Sequence, residues 1–440
     1  MIVGKLYFLF NFFQTRYFLR FKKREDLELW QSKKLKKYFK TVIPKSKCTE
    51  HKVKNIDDLR IIDKKHFMEF FDHFNTVGIT FNEALAVARS SEASRNFVPT
   101  IRGCTVGLSS GTSGRQGVFL VSEKERFRWA GILLAKTLRT QQLIHIMSFW
   151  RRPLTIAFFL RASSNLYTTL NSRRIKFEFY DLLDSEKMLQ KKLVSQNPDV
   201  VVAPASILMR LASLHGSGEM NISPSAIVSV AEVLEVEDQK KIECVFSCDV
   251  QQIYQATEGF LAYTCEQGEL HLNESHVLFE KHWLDEERFE PIVTDFSRSS
   301  QIIARYHLND ILVIGKPCRC GRAEQRIEKV EGRSDEVFWL KSKEAGIMPV
   351  YPDLLRREFA LLSDFIEEYR VIQEGLTWHV QLSSKNFEEA QRVVDKALKD
   401  FIVKQDLTLP EFVYSLWQPG KPGDKLRRLC YRGELPEYRV

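Results

Sequence analysis

Between residues 26 and 39, apolar side chains recur three and four positions apart, the spacing that places them on one face of a helix. Similar spacing runs through residues 56–74, and Gly and Pro are sparse in the first hundred residues, so this segment reads as mostly helical. From Ile101 the texture changes. Apolar runs at 117–121, 143–149, 154–159, 175–179 and 200–203 read as short buried strands. They alternate with helix-like segments at 122–138, 185–194, 206–214 and 236–246. That alternation predicts an α/β fold with substantial parallel pairing.

After Gly332 the pattern shifts again. A strand-like run at 336–340 leads to a helix starting near Pro352. Strand-like runs at 368–373 and 378–382 follow, then a helix over 386–403. The chain is therefore expected to divide into a helical segment (1–100), an α/β core (101–332) and a small α+β domain (333–440).

Composition narrows the class. Hydrophobic residues make up 44% and charged residues 28% of the 440 positions, which suits a globular protein with its own core. Eight cysteines in this length do not form a disulfide scaffold and point to a reducing, cytoplasmic setting. The net charge of +8 is uneven. Residues 1–65 hold 18 Lys/Arg against 7 Asp/Glu, an excess of 11 that leaves the rest slightly acidic. No zinc-finger spacing or Lys/Arg-Gly-aromatic signature accompanies it, so nucleic acid is not an expected partner. Residues 6–21 are rich in Phe, Leu and Tyr, but Asn11, Gln14, Arg16 and Arg20 interrupt them well short of the ~20 apolar residues of a membrane span. A helix packed on the protein's own body is expected, with interfacial membrane contact as the minor reading. No signal peptide is expected.

The segment richest in chemistry runs Gly107-Leu108-Ser109-Ser110-Gly111-Thr112-Ser113-Gly114-Arg115-Gln116-Gly117. Glycines let backbone N–H groups converge on an anion; the hydroxyls of Ser109, Ser110, Thr112 and Ser113 add donors, and Arg115 adds charge. The alternative is a polar hairpin loop. It is not the P-loop of kinases and GTPases, which ends in Gly-Lys-Ser/Thr.

This segment resembles the phosphate loop of the adenylate-forming superfamily, which includes acyl-CoA synthetases, luciferases and adenylation domains. Further blocks match in order over residues 100–430. Tyr254-Gln255-Ala256-Thr257-Glu258-Gly259 is similar to the family's Tyr-x-x-Thr-Glu block. The resemblance implies that Glu258 holds Mg²⁺ beside the ATP phosphates, with Thr257 at the phosphate and Tyr254 near adenine. Ala231-Glu232 resembles a short block lining the adenine pocket. Arg305-Tyr306-His307-Leu308-Asn309-Asp310 resembles the block whose Asp accepts both ribose hydroxyls, which assigns Asp310 to the ribose. Gly332-Arg333-Ser334-Asp335-Glu336 resembles the interdomain block, implying a hinge at Asp335 and a nucleotide contact from Arg333. Gly423-Asp424-Lys425-Leu426-Arg427-Arg428 resembles the block that carries the catalytic lysine, here Lys425. The large domain would then be the adenylation domain and residues 333–440 a mobile lid.

Within the superfamily the chain resembles the phenylacetate–CoA ligase branch, which also contains the synthetase adenylylating a deazaflavin coenzyme. Three departures stand out. Gly117 replaces the lysine that often closes the phosphate loop, Glu336 replaces the second hinge Asp, and residues 340–346 lack the glycine-containing turn of typical CoA ligases. Cys265, His271, Cys318 and Cys320 would supply three thiolates and one imidazole to tetrahedral Zn²⁺, an arrangement this branch often shows. The alternative is a strand histidine beside reduced cysteines. Cys104, Cys244, Cys248 and Cys430 read as packing residues.

The resemblance implies ATP-dependent activation of a carboxylic acid, aromatic or acyl, as an acyl-adenylate. Transfer would follow to CoA, carrier-protein phosphopantetheine or another nucleophile. The alternatives are AMP transfer to a hydroxyl of a cofactor-like acceptor, and a non-catalytic interaction protein on the same fold.

Overall fold

A computed structural model describes residues 2–108, 117–160, 171–342, 346–418 and 427–433. Two compact units divide the chain, Met1–Leu308 with Leu312–Val330, and Asn309–Ile311 with Glu331–Val440.

The larger unit opens with helices α1 (Ile2–Phe13), α2 (Arg24–Thr41), α3 (Lys64–Glu69) and α4 (Phe81–Ser94). Helix α2 has Glu25 and Asp26 in its first turn and Lys40 in its last, complementing the helix dipole. It buries Leu27, Gln31, Tyr38 and Phe39. Helix α4 starts at a capping box in which Thr80 and Glu83 satisfy each other's backbone N–H. The helical stretch expected over residues 56–74 is broken instead. Ile62 gives its N–H to the Arg305 carbonyl at 3.0 Å and accepts from the His307 N–H at 2.8 Å, a strand-like pairing that interrupts the helix. Asp63 then caps α3 afresh through the His66 N–H at 2.8 Å.

Strands β1 (Thr100–Ile101), β2 (Cys104–Leu108) and β3 (Val118–Ser122) form an antiparallel sheet. Helices α5 (Glu123–Thr137) and α6 (Thr140–Met147) follow. The apolar run at 143–149, expected as a strand, lies largely in α6. Leu143 and Ile146 turn inward while Ile144 and Met147 face solvent, a three-residue period that a short apolar run does not distinguish from a strand.

The parallel array is then laid down by β4 (Leu154–Leu160), β5 (Ile175–Asp181), α7 (Glu186–Gln196), β6 (Val200–Ala203), α8 (Ala205–Gly216), β7 (Ala226–Val230), α9 (Val236–Phe246) and β8 (Val250–Ala256). Every residue of β6 and β7 is buried, as expected for strands covered on both faces. One face packs against α7–α9 through Leu193, Leu208, Leu211 and Ile242, and the other packs Phe12 of α1 and Leu134 of α5 against Ile156 and Val228. The sheet continues with β9 (Gly259–Thr264), β10 (Leu270–Leu272), β11 (Leu278–Trp283), β12 (Arg288–Thr294), β13 (Tyr306–His307), β14 (Asp310–Ile314) and β15 (Arg326–Arg333). Its order is β11-β12-β14-β15-β10-β9-β8-β7-β6-β4-β5, with β13 on β12. No helix among the described residues is long and apolar enough to cross a membrane.

The smaller unit contains the hairpin β16 (Phe338–Lys341) and β17 (Ile347–Val350), helix α10 (Pro352–Ala360), strands β18 (Glu368–Glu374) and β19 (Thr377–Ser383), helix α11 (Phe387–Lys404), and strands β20 (Glu411–Leu416) and β21 (Leu429–Tyr431). Strands β18 and β19 pair antiparallel, and β20 and β21 flank them in parallel. Helix α11 lays Ala390, Val394, Leu398, Phe401 and Ile402 on the core with Trp378 and Phe338. The fold is α/β, with an α+β second unit. Asn309–Ile311, expected in the core segment, groups with this unit, where Ser334 donates its N–H to the Asn309 carbonyl at 2.8 Å.

Candidate nucleotide and metal sites

Parallel strands β7 and β8 are neighbours with Val230 opposite Ile253, so the segments leaving their carboxyl ends emerge side by side. Ala231-Glu232 follows β7, Tyr254–Glu258 comprises the last three residues of β8 and the two after it, and the carboxyl edge of an α/β sheet is where such folds bind ligands. Ala231 has φ +67°, and the Glu232 N–H returns to the Val230 carbonyl at 2.8 Å, a tight turn that is costly for a residue with a Cβ. Glu232 caps α8 by accepting the Ser206 N–H at 2.9 Å. Beside it, the Thr257 hydroxyl donates to Glu258 Oε2 at 2.9 Å, and a register shift at Tyr254/Gln255 bends the end of β8.

A residue that the motifs do not contain holds this edge. Arg298 donates to the carbonyls of Thr257 at 2.9 Å and Glu258 at 3.2 Å, and its other nitrogen donates to the Leu120 carbonyl of β3 at 3.0 Å. It ties the Thr-Glu block to the strand that follows residues 109–116. Gln301 supports the same strand by accepting the Leu120 N–H at 3.0 Å. Buried Glu125 receives the Ser300 N–H at 2.8 Å and the Ser122 hydroxyl at 2.6 Å. Burial pushes its carboxyl up, but Arg298 and these donors prevail and hold it below the usual carboxylate range. The available signal was the polar run Ser297–Gln301 set between apolar residues 292–293 and 302–304.

In the smaller unit, blocks far apart in sequence converge. Arg333 donates to Asn309 Oδ1 at 2.7 Å, and its Nε lies 4.0 Å from Asp310 and 3.3 Å from Asp335. Arg427 reaches Asp335 at 2.8 Å, so the Asp335 carboxylate sits between two guanidiniums. Arg356 pairs with Glu336 at 2.6 Å and donates to the Glu331 carbonyl at 2.7 Å. Burial pushes the Glu336 carboxyl up against these arginines. Gly332 has φ +151°, and a Cβ there would stand 2.8 Å from Glu336 Oε2, which explains glycine at this position.

The four zinc-ligand candidates meet in the larger unit. Cys265 follows β9, His271 is central in β10, and Cys318 and Cys320 lie on the loop between β14 and β15; their ligand atoms all lie within 4.8 Å of one another. Cys265 Sγ is 3.8 Å from Cys318 Sγ, and Cys320 Sγ is 3.5 Å from His271 Nε2. A tetrahedral zinc with S ligands at ~2.3 Å and N at ~2.0–2.1 Å has S–S and S–N edges of about 3.8 and 3.6 Å, so the set fits zinc. The His271 Nδ1–H donates to the Glu324 carbonyl at 2.9 Å, leaving Nε2 as the lone-pair nitrogen. N–H groups of Gln267 and Cys320 point at the sulfurs of Cys265 and Cys318. A second cluster, His282, Glu290 and His307, is held by hydrogen bonds from both imidazoles to Glu290. Cys244, read as a packing residue, is exposed on α9.

No family model matches the sequence. Protein CapK of Staphylococcus aureus is 28% identical over 163 residues, 36% of this chain and 36% of that protein. The match thus spans about a third of that relative's length. Among solved structures, 2-hydroxyisobutyryl-CoA ligase in the postadenylation state with an acyl-AMP is similar over 98% of this chain and 89% of that one, with TM-score 0.57 and 15% identity. The McyG A-PCP structure with phenylalanyl-adenylate matches 75% of this chain and 66% of that chain, with TM-score 0.50 and 10% identity. This chain has the adenylate-forming ligase fold.

On the adenylate-forming fold, the described candidate nucleotide residues form two groups. Ala231, Glu232, Tyr254, Thr257 and Glu258 lie along one sheet edge, whereas Asp310, Arg333 and Asp335 cluster in the smaller unit. Ser109, Ser110, Gly111, Thr112, Ser113, Gly114, Arg115 and Lys425 lie outside the described residues.

Proposed function

We propose that this protein uses ATP to activate a carboxylic acid. A substrate carboxylate oxygen attacks the α-phosphorus, the bond to the β,γ-diphosphate breaks, and acyl-AMP and pyrophosphate form. In the second step an acceptor nucleophile, a thiol such as that of CoA or carrier-protein phosphopantetheine, attacks the acyl carbon and AMP leaves.

The observation that supports this reading is that Ala231-Glu232 and Tyr254–Glu258 follow directly on the last paired residues of β7 and β8, Val230 and Ile253, at the carboxyl edge of the sheet. Arg298 braces that edge against the strand following the Ser/Gly-rich segment. Mg²⁺ bound at Glu258 would neutralise phosphate charge. Residues 109–115 would bind the phosphates, Asp310 and Arg333 the ribose, and Lys425 would stabilise the charge developing at the α-phosphate. Zn²⁺ held by Cys265, His271, Cys318 and Cys320 is proposed as a closed structural ion with no open coordination position.

The test is pyrophosphate release from ATP across a panel of aromatic and aliphatic acids, with mass spectrometry of the products. An acid-dependent burst of pyrophosphate with an acyl-AMP or thioester product supports the reading. No release with any acid, or AMP found on a hydroxyl acceptor, overturns it.

A further inference from the structure

Helix α1 is apolar on two faces. Its inner face, with Phe8 and Phe12, packs on α5 so closely that a Cβ on Gly131 would lie 2.6 Å from the Phe8 carbonyl oxygen. The following turn is pinned by Arg16, which donates to the Ala135 and Leu138 carbonyls, and by the Phe21 carbonyl, which accepts from the Ala323 N–H. The helix is therefore fixed to the body, and its other face stays in solvent. Leu6, Leu9, Phe10, Phe13 and Tyr17 recur at helical spacing along that outer face, and Phe10 is 59% exposed. Phe18 continues the ridge at 78% exposure. A continuous apolar stripe of this kind marks an interaction surface.

Charge identifies the occupant. Residues 1–24 contain six Lys/Arg and no Asp/Glu, and Lys5, Lys22 and Lys23 are exposed. Helix α2 adds exposed Lys33, Lys36, Lys37 and Lys40. A two-fold contact between identical copies through this stripe would bring the exposed Lys5, Lys22 and Lys23 of each copy towards those of the other, which is unfavourable. An anionic bilayer matches both properties, since acyl chains receive the aromatic ridge and headgroups receive the lysines.

We infer that the outer face of α1 docks this protein on anionic phospholipid bilayers, lying in the interface without spanning it. The test is co-sedimentation of the full chain with sucrose-loaded vesicles of phosphatidylcholine with phosphatidylglycerol in equal parts, and with phosphatidylcholine alone. The chain should pellet with the anionic vesicles and be released by raised salt. Phe10→Ser/Phe13→Ser should retain the wild-type circular dichroism and melting temperature but lose about tenfold or more of the binding. Wild-type chain left in the supernatant, equal binding to phosphatidylcholine alone, or undiminished binding of the double variant would each overturn the inference. So would a dimer that the double variant dissociates while neither form binds vesicles, because the stripe would then belong to a second copy.

Discussion

Lys136 Nζ meets Glu324 Oε1 at 2.8 Å in the interior of the larger unit, with both side chains 2% exposed. The Tyr263 hydroxyl also donates to Glu324, and the Ser275 N–H reaches it at 3.2 Å. Burial pushes the Glu324 carboxyl up, but Lys136 and these donors prevail and keep it ionised. Removing one partner strands a buried charge at a cost of ~3–5 kcal/mol, whereas replacing both with apolar residues costs far less. Lys136→Met should therefore lower the urea midpoint of the larger unit strongly, and Lys136→Met/Glu324→Leu should recover much of the loss. A double variant as unstable as the single would contradict this account.

A buried histidine nearby should make stability depend on pH on the acid side. His276 is buried, its Nε2 3.0 Å from the Thr15 hydroxyl, and burial, with Lys136 close by, holds its pKa down to about 3. The unfolded chain titrates this group near ~6.5, so between these values it binds the proton that the folded chain refuses. Stability from this group is complete above pH ~6.5 and falls by up to ~1.4 kcal/mol per pH unit as pH drops towards 3. Melting curves of His276→Gln should lack that slope between pH 5 and 6.5. An unchanged slope would assign the acid sensitivity to other groups.

Elements with a strong period were legible in the sequence, and partnerships across long separations were not. Helix α11 carries an apolar face over five turns, and β18–β19 alternate cleanly, so both were readable. The run at 143–149 has too few positions to separate a period of two from one of 3.6. Candidate residues that sit in contiguous blocks, such as Tyr254–Glu258, can be picked out by their motifs. Arg298 acts on a carbonyl 178 positions away and Lys136 pairs 188 positions away, so although Arg298 sits in a polar run, nothing local names the partner of either.

The cysteine cluster predicts a stoichiometry. Purified protein should carry about one zinc per chain, and Cys320→Ser should lower the melting temperature by ~5 °C or more, since a closed zinc site contributes directly to folding. Well-folded, reduced protein without zinc in elemental analysis would retire the site.

The proposed nucleotide roles make a separate prediction for each of two carboxylates. Glu258 hydrogen-bonds with Thr257 at the end of β8, and Asp310 lies by Arg333 in the smaller unit. Glu258→Gln should remove the proposed magnesium ligand and Asp310→Ala the proposed ribose acceptor, each reducing adenylation by ~10²-fold or more with the fold intact. Near-wild-type activity in either variant would show that its block is wrongly assigned.

On the proposed roles of Asp335 as hinge and Lys425 as catalytic lysine, the two half-reactions should fail separately. Asp335 is clamped by Arg333 and by Arg427, and Arg427 lies two residues beyond Lys425. If Asp335 is the hinge, rotation there moves Lys425 to or from the α-phosphate, so the lysine serves adenylation alone. Lys425→Ala should slow acyl-AMP formation by ~10²–10³, the usual effect of losing one charge-stabilising donor, and leave transfer from chemically supplied acyl-AMP nearly unchanged. Asp335→Pro locks φ at the hinge and should impair transfer more than adenylation. Single-turnover assays of each half-reaction separate the two variants. Equal losses in both halves for Lys425→Ala would rule out alternation about Asp335, because a lysine withdrawn after adenylation has no means of slowing transfer.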